Sequence, residues 1–112
     1  MKKGLKIRFV IFDILLEIYN NNTNFENIFN SQCSLNNFSK RDKSLIYNVC
    51  LNSMRYKFHV DKIIKKYLKK KSKKNQYILL LSAITQIVFL DFKEYAVIDN
   101  SVEIAKKINV YP

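Results

Sequence analysis

The 112-residue sequence contains one glycine, Gly4, and one proline, Pro112, and both lie close to its ends. Tight β-hairpins depend on residues that accept positive φ or preset a turn, so a hairpin-rich fold has no material here. Nor can Gly4 alone build a loop that cradles phosphates, which excludes P-loop and dinucleotide-binding motifs. The chain must instead turn on Asn, Ser and Asp and bury its apolar side chains on helices. With 48% hydrophobic and 13% aromatic residues it holds enough apolar material for one small core. At this length that means a single domain over residues 1–112.

Hydrophobic spacing draws the helices. Ile7, Val10, Ile11, Ile14, Leu15 and Ile18 fall at i, i+3, i+4, i+7, i+8 and i+11 and predict a helix over 5–20. Thr23-Asn24-Phe25-Glu26 reads as a capping box, with Thr23 as the cap, before a short helix that turns Phe25, Ile28 and Phe29 inward. The polar stretch 30–38 reads as irregular. Ser39 caps a third helix with Asp42 near its positive end, carrying Leu45, Ile46, Val49, Cys50 and Met54 to about Tyr56. Residues 58–61 read as a bend or short break. Val60, Ile63, Ile64, Tyr67 and Leu68 form the next stripe, with Lys62, Lys65, Lys66, Lys69 and Lys70 opposite. Tyr77, Leu80, Leu81, Ile84 and Val88 mark a helix over 74–90. Ile78, Leu79, Ala83 and Ile87 make it apolar nearly all round, the pattern of a central helix. A last helix over 94–108 turns Ile98, Val102, Ala105 and Ile108 inward and stops at Tyr111-Pro112. The expectation is an all-α fold, a compact bundle of about five to six helices.

Little in the chain suggests catalysis. His59 is the only histidine, and Cys33 and Cys50 are seventeen residues apart, too few ligands for a zinc site of His and Cys. The lone histidine lies at a helix junction and reads as structural. Asp99 and Glu103, four apart, read as surface charges, and Asp13, in an apolar helix, is expected to pair with a nearby Lys or Arg. We expect no enzyme activity and no cofactor or metal. No disulfide framework is expected, which fits a cytoplasmic location. The longest apolar stretch, 78–90, is short of the ~20 residues that span a bilayer, and Asp13 and Glu17 interrupt the signal-like start.

The charge is the better lead. Twenty Lys+Arg against nine Asp+Glu give a net +11. Lys, Ile and Asn together supply 44 residues and Arg only 3, a bias typical of AT-rich coding, so placement is more informative than size. Lys2, Lys3, Lys6 and Arg8 open the chain, and nine Lys with one Asp crowd residues 57–74. Clustered cations attract a polyanion by Coulomb force and counterion release, with little sequence reading. Tyr19, Tyr56 and Tyr77 are candidates for base stacking, though core packing accounts for them as well.

Four blocks, in order, resemble a known family. Arg8, Ile11, Asp13-Ile14-Leu15 and Ile18 look like the first helix of the NusB-type RNA-binding domain. Leu35, then Phe38 to Leu45, resembles its LS-x-RDRAL-like entry to the third helix. Residues 54–64 resemble a following LR…LD stretch, and residues 96–106 are similar to its VAINEAVELAK-like helix. This domain occurs in antitermination factors and as the N-terminal part of an rRNA cytosine-5 methyltransferase. Met54-Arg55 and Thr85-Gln86-Ile87 look closer to the methyltransferase branch.

The resemblance implies a helical domain whose basic residues face ribosomal or leader RNA. In the antitermination branch it also implies a ribosomal protein partner. Arg8 carries over as the RNA-side Arg, and Lys2, Lys3 and Lys6 extend its charge. Arg41 and Arg55 match motif positions and would serve equally to hold helix ends by ion pairs. Lys62 and Lys66 complete the candidate set. The chain departs from the pattern in having one Arg on the first helix and Lys93 near the usual Pro. It also stops where the family continues with another helix. That leaves apolar surface on 77–90 and 94–108 to be covered by self-association or by a partner, such as a separately encoded methyltransferase domain. A protein-interaction module docking such a partner is therefore the second reading.

Overall fold

The computed structural model describes residues 2–108 and is helical throughout: α1 (Lys3–Asn21), α2 (Phe25–Asn36), α3 (Lys40–Arg55), α4 (Lys57–Tyr67), α5 (Lys74–Ile84) and α6 (Glu94–Ile108). A π-helical turn, Thr85–Phe89, extends α5. The stop expected at Tyr111-Pro112 lies outside the described residues.

Helices end here without interior glycine. Asn22, Asn37 and Asp91 adopt φ of 53°, 50° and 56°, the left-handed region that short polar side chains tolerate. The starts of α2 and α3 are side-chain capped. Ser39 Oγ accepts from the Asp42 N–H at 3.1 Å, as expected. The cap of α2 is Asn24, whose Oδ1 accepts from the Asn27 N–H at 3.2 Å. The capping box expected at Thr23 does not form. Thr23 donates back to Glu17 at 3.1 Å, and Glu26 accepts from the Tyr47 hydroxyl at 2.9 Å. Nor is 30–38 irregular: α2 runs on to Asn36 because Cys33 seals a buried position on its inner face. The break between α3 and α4 falls at Tyr56, ahead of the expected 58–61. There the Tyr56 ring stacks on Phe89, with centroids 4.3 Å apart and planes within 5°.

Helices α1 and α5 share the centre. Helix α5 packs against α1, α3, α4 and α6, and α1 against α2, α3, α5 and α6, with Ile7, Val10, Ile11, Phe12, Ile14 and Leu15 of α1 buried. On α5 and its π turn the buried face is Ile78, Leu81, Ser82, Thr85 and Gln86, a helical stripe rotated from the expected one and half polar. Val88 is consequently 56% exposed. On α6, Val97 and Ile104 are buried, while Ile98 and Val102, expected inward, stay 53% and 48% exposed. On α4 only Val60 is buried, and Tyr67 and Leu68 leave the core.

Asp13 also departs from expectation, forming no ion pair among the described residues. Burial, with help from Glu17 one turn on, pushes its carboxyl up to about 6. Cys33 and Cys50 are free and buried. Among the described residues no helix is long and apolar enough to cross a membrane.

Candidate nucleic-acid interface

Two helix N-termini meet at one end of the molecule, and both carry cations where a helix favours anions. Helix α1 begins at Lys2 with no side-chain cap and no acidic residue in its first turn. Helix α3 opens with Lys40, Arg41, Asp42 and Lys43. Lys3 Nζ joins them, 3.2 Å from Asp42 Oδ2. Burial pushes the Asp42 carboxyl up, but hydrogen bonding to Ser39 and Lys3 outweighs this and leaves it below its ordinary value. Asp42 is thus engaged, and the surrounding Lys2, Lys40, Arg41 and Lys43 are exposed. Lys6 sits 5.7 Å from the centroid of the Phe38 ring, holding a further charge at the same end.

Arg8 is built into this end. Its Nε donates to Gln86 Oε1 at 2.8 Å. Gln86 is 2% exposed, and its amide is fixed by donating to the Ser82 carbonyl at 3.1 Å and the Ser82 hydroxyl at 3.0 Å. Ser82 and Gln86, two of the buried polar residues of this stripe, thus orient the guanidinium, and Gln86 lies on the π turn. A Cβ on Gly4 would stand 3.7 Å from Arg8 Nη1 and 3.9 Å from Asn100 Nδ2, so the guanidinium lies between the first turn of α1 and α6. Burial pushes the Arg8 guanidinium down from its ordinary value, yet arginine stays charged. Its hydrogen-bond partner is a neutral amide, and no carboxylate among the described residues forms an ion pair with it. A half-buried cation without a counter-charge is a costly arrangement that a bound anion relieves.

The eight sequence-predicted residues fall into two groups. Lys2, Lys3, Lys6, Arg8 and Arg41 share the end just described. Arg55, Lys62 and Lys66 do not. Arg55 closes α3, with Nη1 3.4 Å from Asn52 Oδ1. Lys62 lies 4.5 Å from the Phe58 ring centroid and Lys66 5.6 Å from that of Tyr67, both on α4. The neighbouring Lys57 lies over Tyr19, which at 1.5 Å per residue is about 24 Å along α1 from Lys3. Lys40 and Lys43 stand at this end beside Arg41, in the run Lys40-Arg41-Asp42-Lys43 behind the cap residue Ser39. Only Arg41 of that run is a candidate from the sequence, because the rest reads as a helix start.

The remaining candidates are held by neighbouring side chains. Tyr77 donates to Asp61, Tyr56 stacks on Phe89, and His59 is edge-on to Tyr56 and Phe89. Glu103 pairs with Lys106 at 3.5 Å. No group of three or more His, Cys, Asp or Glu is placed to hold a metal among the described residues.

A sequence model of the NusB family matches residues 5–111. Curated protein sequences return no match. Among solved structures, that of antitermination factors NusB and NusE in complex with dsRNA is similar at a TM-score of 0.85 and 20% identity, covering 96% of this chain and 85% of that one. At such an identity the likeness establishes the fold.

Proposed function

The chain belongs to the NusB family, and from that membership we propose that it is a non-catalytic, cytoplasmic RNA-binding domain of the antitermination type. The observation that carries this reading is the convergence of the α1 and α3 N-termini, which concentrates Lys2, Lys3, Lys6, Arg8, Lys40, Arg41 and Lys43 around one engaged carboxylate. Partial charges of the helix ends add to the formal ones, so the field at this end exceeds what the side chains alone would make. The NusB of the similar structure is bound to dsRNA and to NusE, and we assign this chain the same classes of partner: a duplex RNA gripped by its phosphates and a protein beside it. The companion role, as the RNA-binding part of an rRNA cytosine-5 methyltransferase, uses the same end of the molecule.

Capture by phosphate contacts fixes the salt response. Neutralising four to five phosphates gives log K a slope of about −4 against log salt. Titrating a labelled RNA hairpin at several salt concentrations tests this. A slope near zero rejects electrostatic capture.

One observation favours the protein-docking reading as a second role. Tyr95, Ile98 and Val102 line one side of α6 at 84%, 53% and 48% exposure, with Val88 at 56% on the π turn.

A further inference from the structure

We propose that the groove between α4 and α5 is a second nucleic-acid site, which seats a single-stranded RNA segment. It rests on the RNA-binding reading above but concerns a different surface, about 24 Å along α1 from the helix N-termini.

The groove is a depression of about 850 Å3. Its floor is Ile64, Leu68 and Tyr77, and its rim carries Lys65, Lys69, Lys70, Lys71 and Lys74. Asp61, the one carboxylate lining it, is occupied: Lys57 Nζ lies 3.0 Å from Oδ2, and the Tyr77 hydroxyl donates to Oδ1. None of the five rim lysines has an ion-pair partner among the described residues. Five ammonium groups around one depression repel each other, and a polyanion along the rim removes that repulsion.

Three features favour a single strand. The depression is the size of a small-ligand cleft, which unpaired bases can enter and the stacked, paired bases of a duplex cannot. Its apolar floor, including the Tyr77 ring, suits the faces of unpaired bases, while cations track the backbone. The cations of the rim are all lysine, with no arginine fork to grip a carboxylate bidentately. Flexible point charges match repeating phosphates better than the fixed pattern of an acidic protein segment.

The test uses the full chain and two RNAs, a twelve-nucleotide oligouridylate and a blunt hairpin. Lys69, Lys70 and Lys71 lie outside the helices, so K69E/K70E/K71E leaves the fold intact, as circular dichroism will report. This variant should lose about tenfold or more in oligouridylate affinity, with a salt slope shallower by about 2, since three single-strand contacts contribute about −0.7 each. Hairpin affinity should stay within about twofold on the same reasoning. Unchanged oligouridylate affinity overturns the groove site, and hairpin binding by the same variant then leaves the primary reading standing. A wild type that binds oligouridylate but not the hairpin, with the loss on K69E/K70E/K71E, supports the groove and removes the duplex reading instead. Polyglutamate of equal charge displacing the oligouridylate as well as unlabelled oligouridylate does would make the groove a seat for acidic protein and overturn the assignment.

Discussion

Reversing Lys2, Lys6, Lys40 and Arg41 to Glu abolishes duplex RNA binding and leaves the helices in place. Two independent arguments give this result. First, the four cations stand around the meeting point of two helix N-termini, so reversal replaces phosphate attraction by repulsion at each position. Removing four contacts at a slope of about −0.9 each takes away nearly all the salt-dependent affinity. The expected loss is at least 100-fold at low salt, on the order of 3 kcal/mol. Second, acidic residues are favoured in the first turn of a helix, by about 0.3–1 kcal/mol each at exposed sites. Glu at Lys40 and Arg41 therefore suits α3 better than the native residues do, and helicity by circular dichroism should be equal or higher. A cationic first turn that costs α3 stability is intelligible as a provision for an anionic partner. Loss of binding together with loss of helicity would mean the charges serve the fold.

Leu15→Ala should unfold a large part of the molecule's margin. Leu15 is fully buried on α1, the helix that touches α2, α3, α5 and α6. Truncating a buried Leu removes its transfer free energy and leaves a cavity that packed neighbours fill poorly, at about 2–5 kcal/mol. For a domain of this size the melting temperature should fall by on the order of 10 °C or more. The equivalent truncation at Leu35, which is 78% exposed, should change it by about 1 °C or less. Equal effects at the two positions would contradict the placement of α1 at the centre.

Much of the fold was legible because one rule, burial at helical spacing, governs α1, α3 and the start of α5. Ile7 to Ile18 describes α1 almost without error, and Ser39 marks the start of α3. The misreadings have particular causes. Helix α2 was cut short because Asn30 to Asn36 is rich in poor helix formers, and the single buried Cys33 outweighs propensity. The α3–α4 break is fixed by Tyr56 stacking on Phe89, a contact between residues 33 apart that no local pattern contains. The face of α5 was misassigned because Ser82, Thr85 and Gln86 are polar and yet buried. A hydrophobic stripe cannot show that Gln86 and Ser82 are buried together with the hydrogen bonds that reach Arg8.

The candidate site was legible in half. The basic opening of the chain predicted one cationic end, and the structure adds α3 to it through Lys3 and Asp42. Nothing in the sequence indicates that Arg55, Lys62 and Lys66 belong elsewhere, since proximity in space depends on how α4 leaves the core. The Gln86 hydrogen bond to Arg8 joins residues 78 apart, so no local pattern contains it.

Lysine acetylation read by mass spectrometry tests, residue by residue, whether one end of the molecule grips RNA. Hairpin RNA should protect Lys2, Lys3, Lys6, Lys40 and Lys43 while Lys69, Lys70 and Lys71 react at the rate of the free protein. Protection spread evenly over both groups, or none at the helix N-termini, would contradict it.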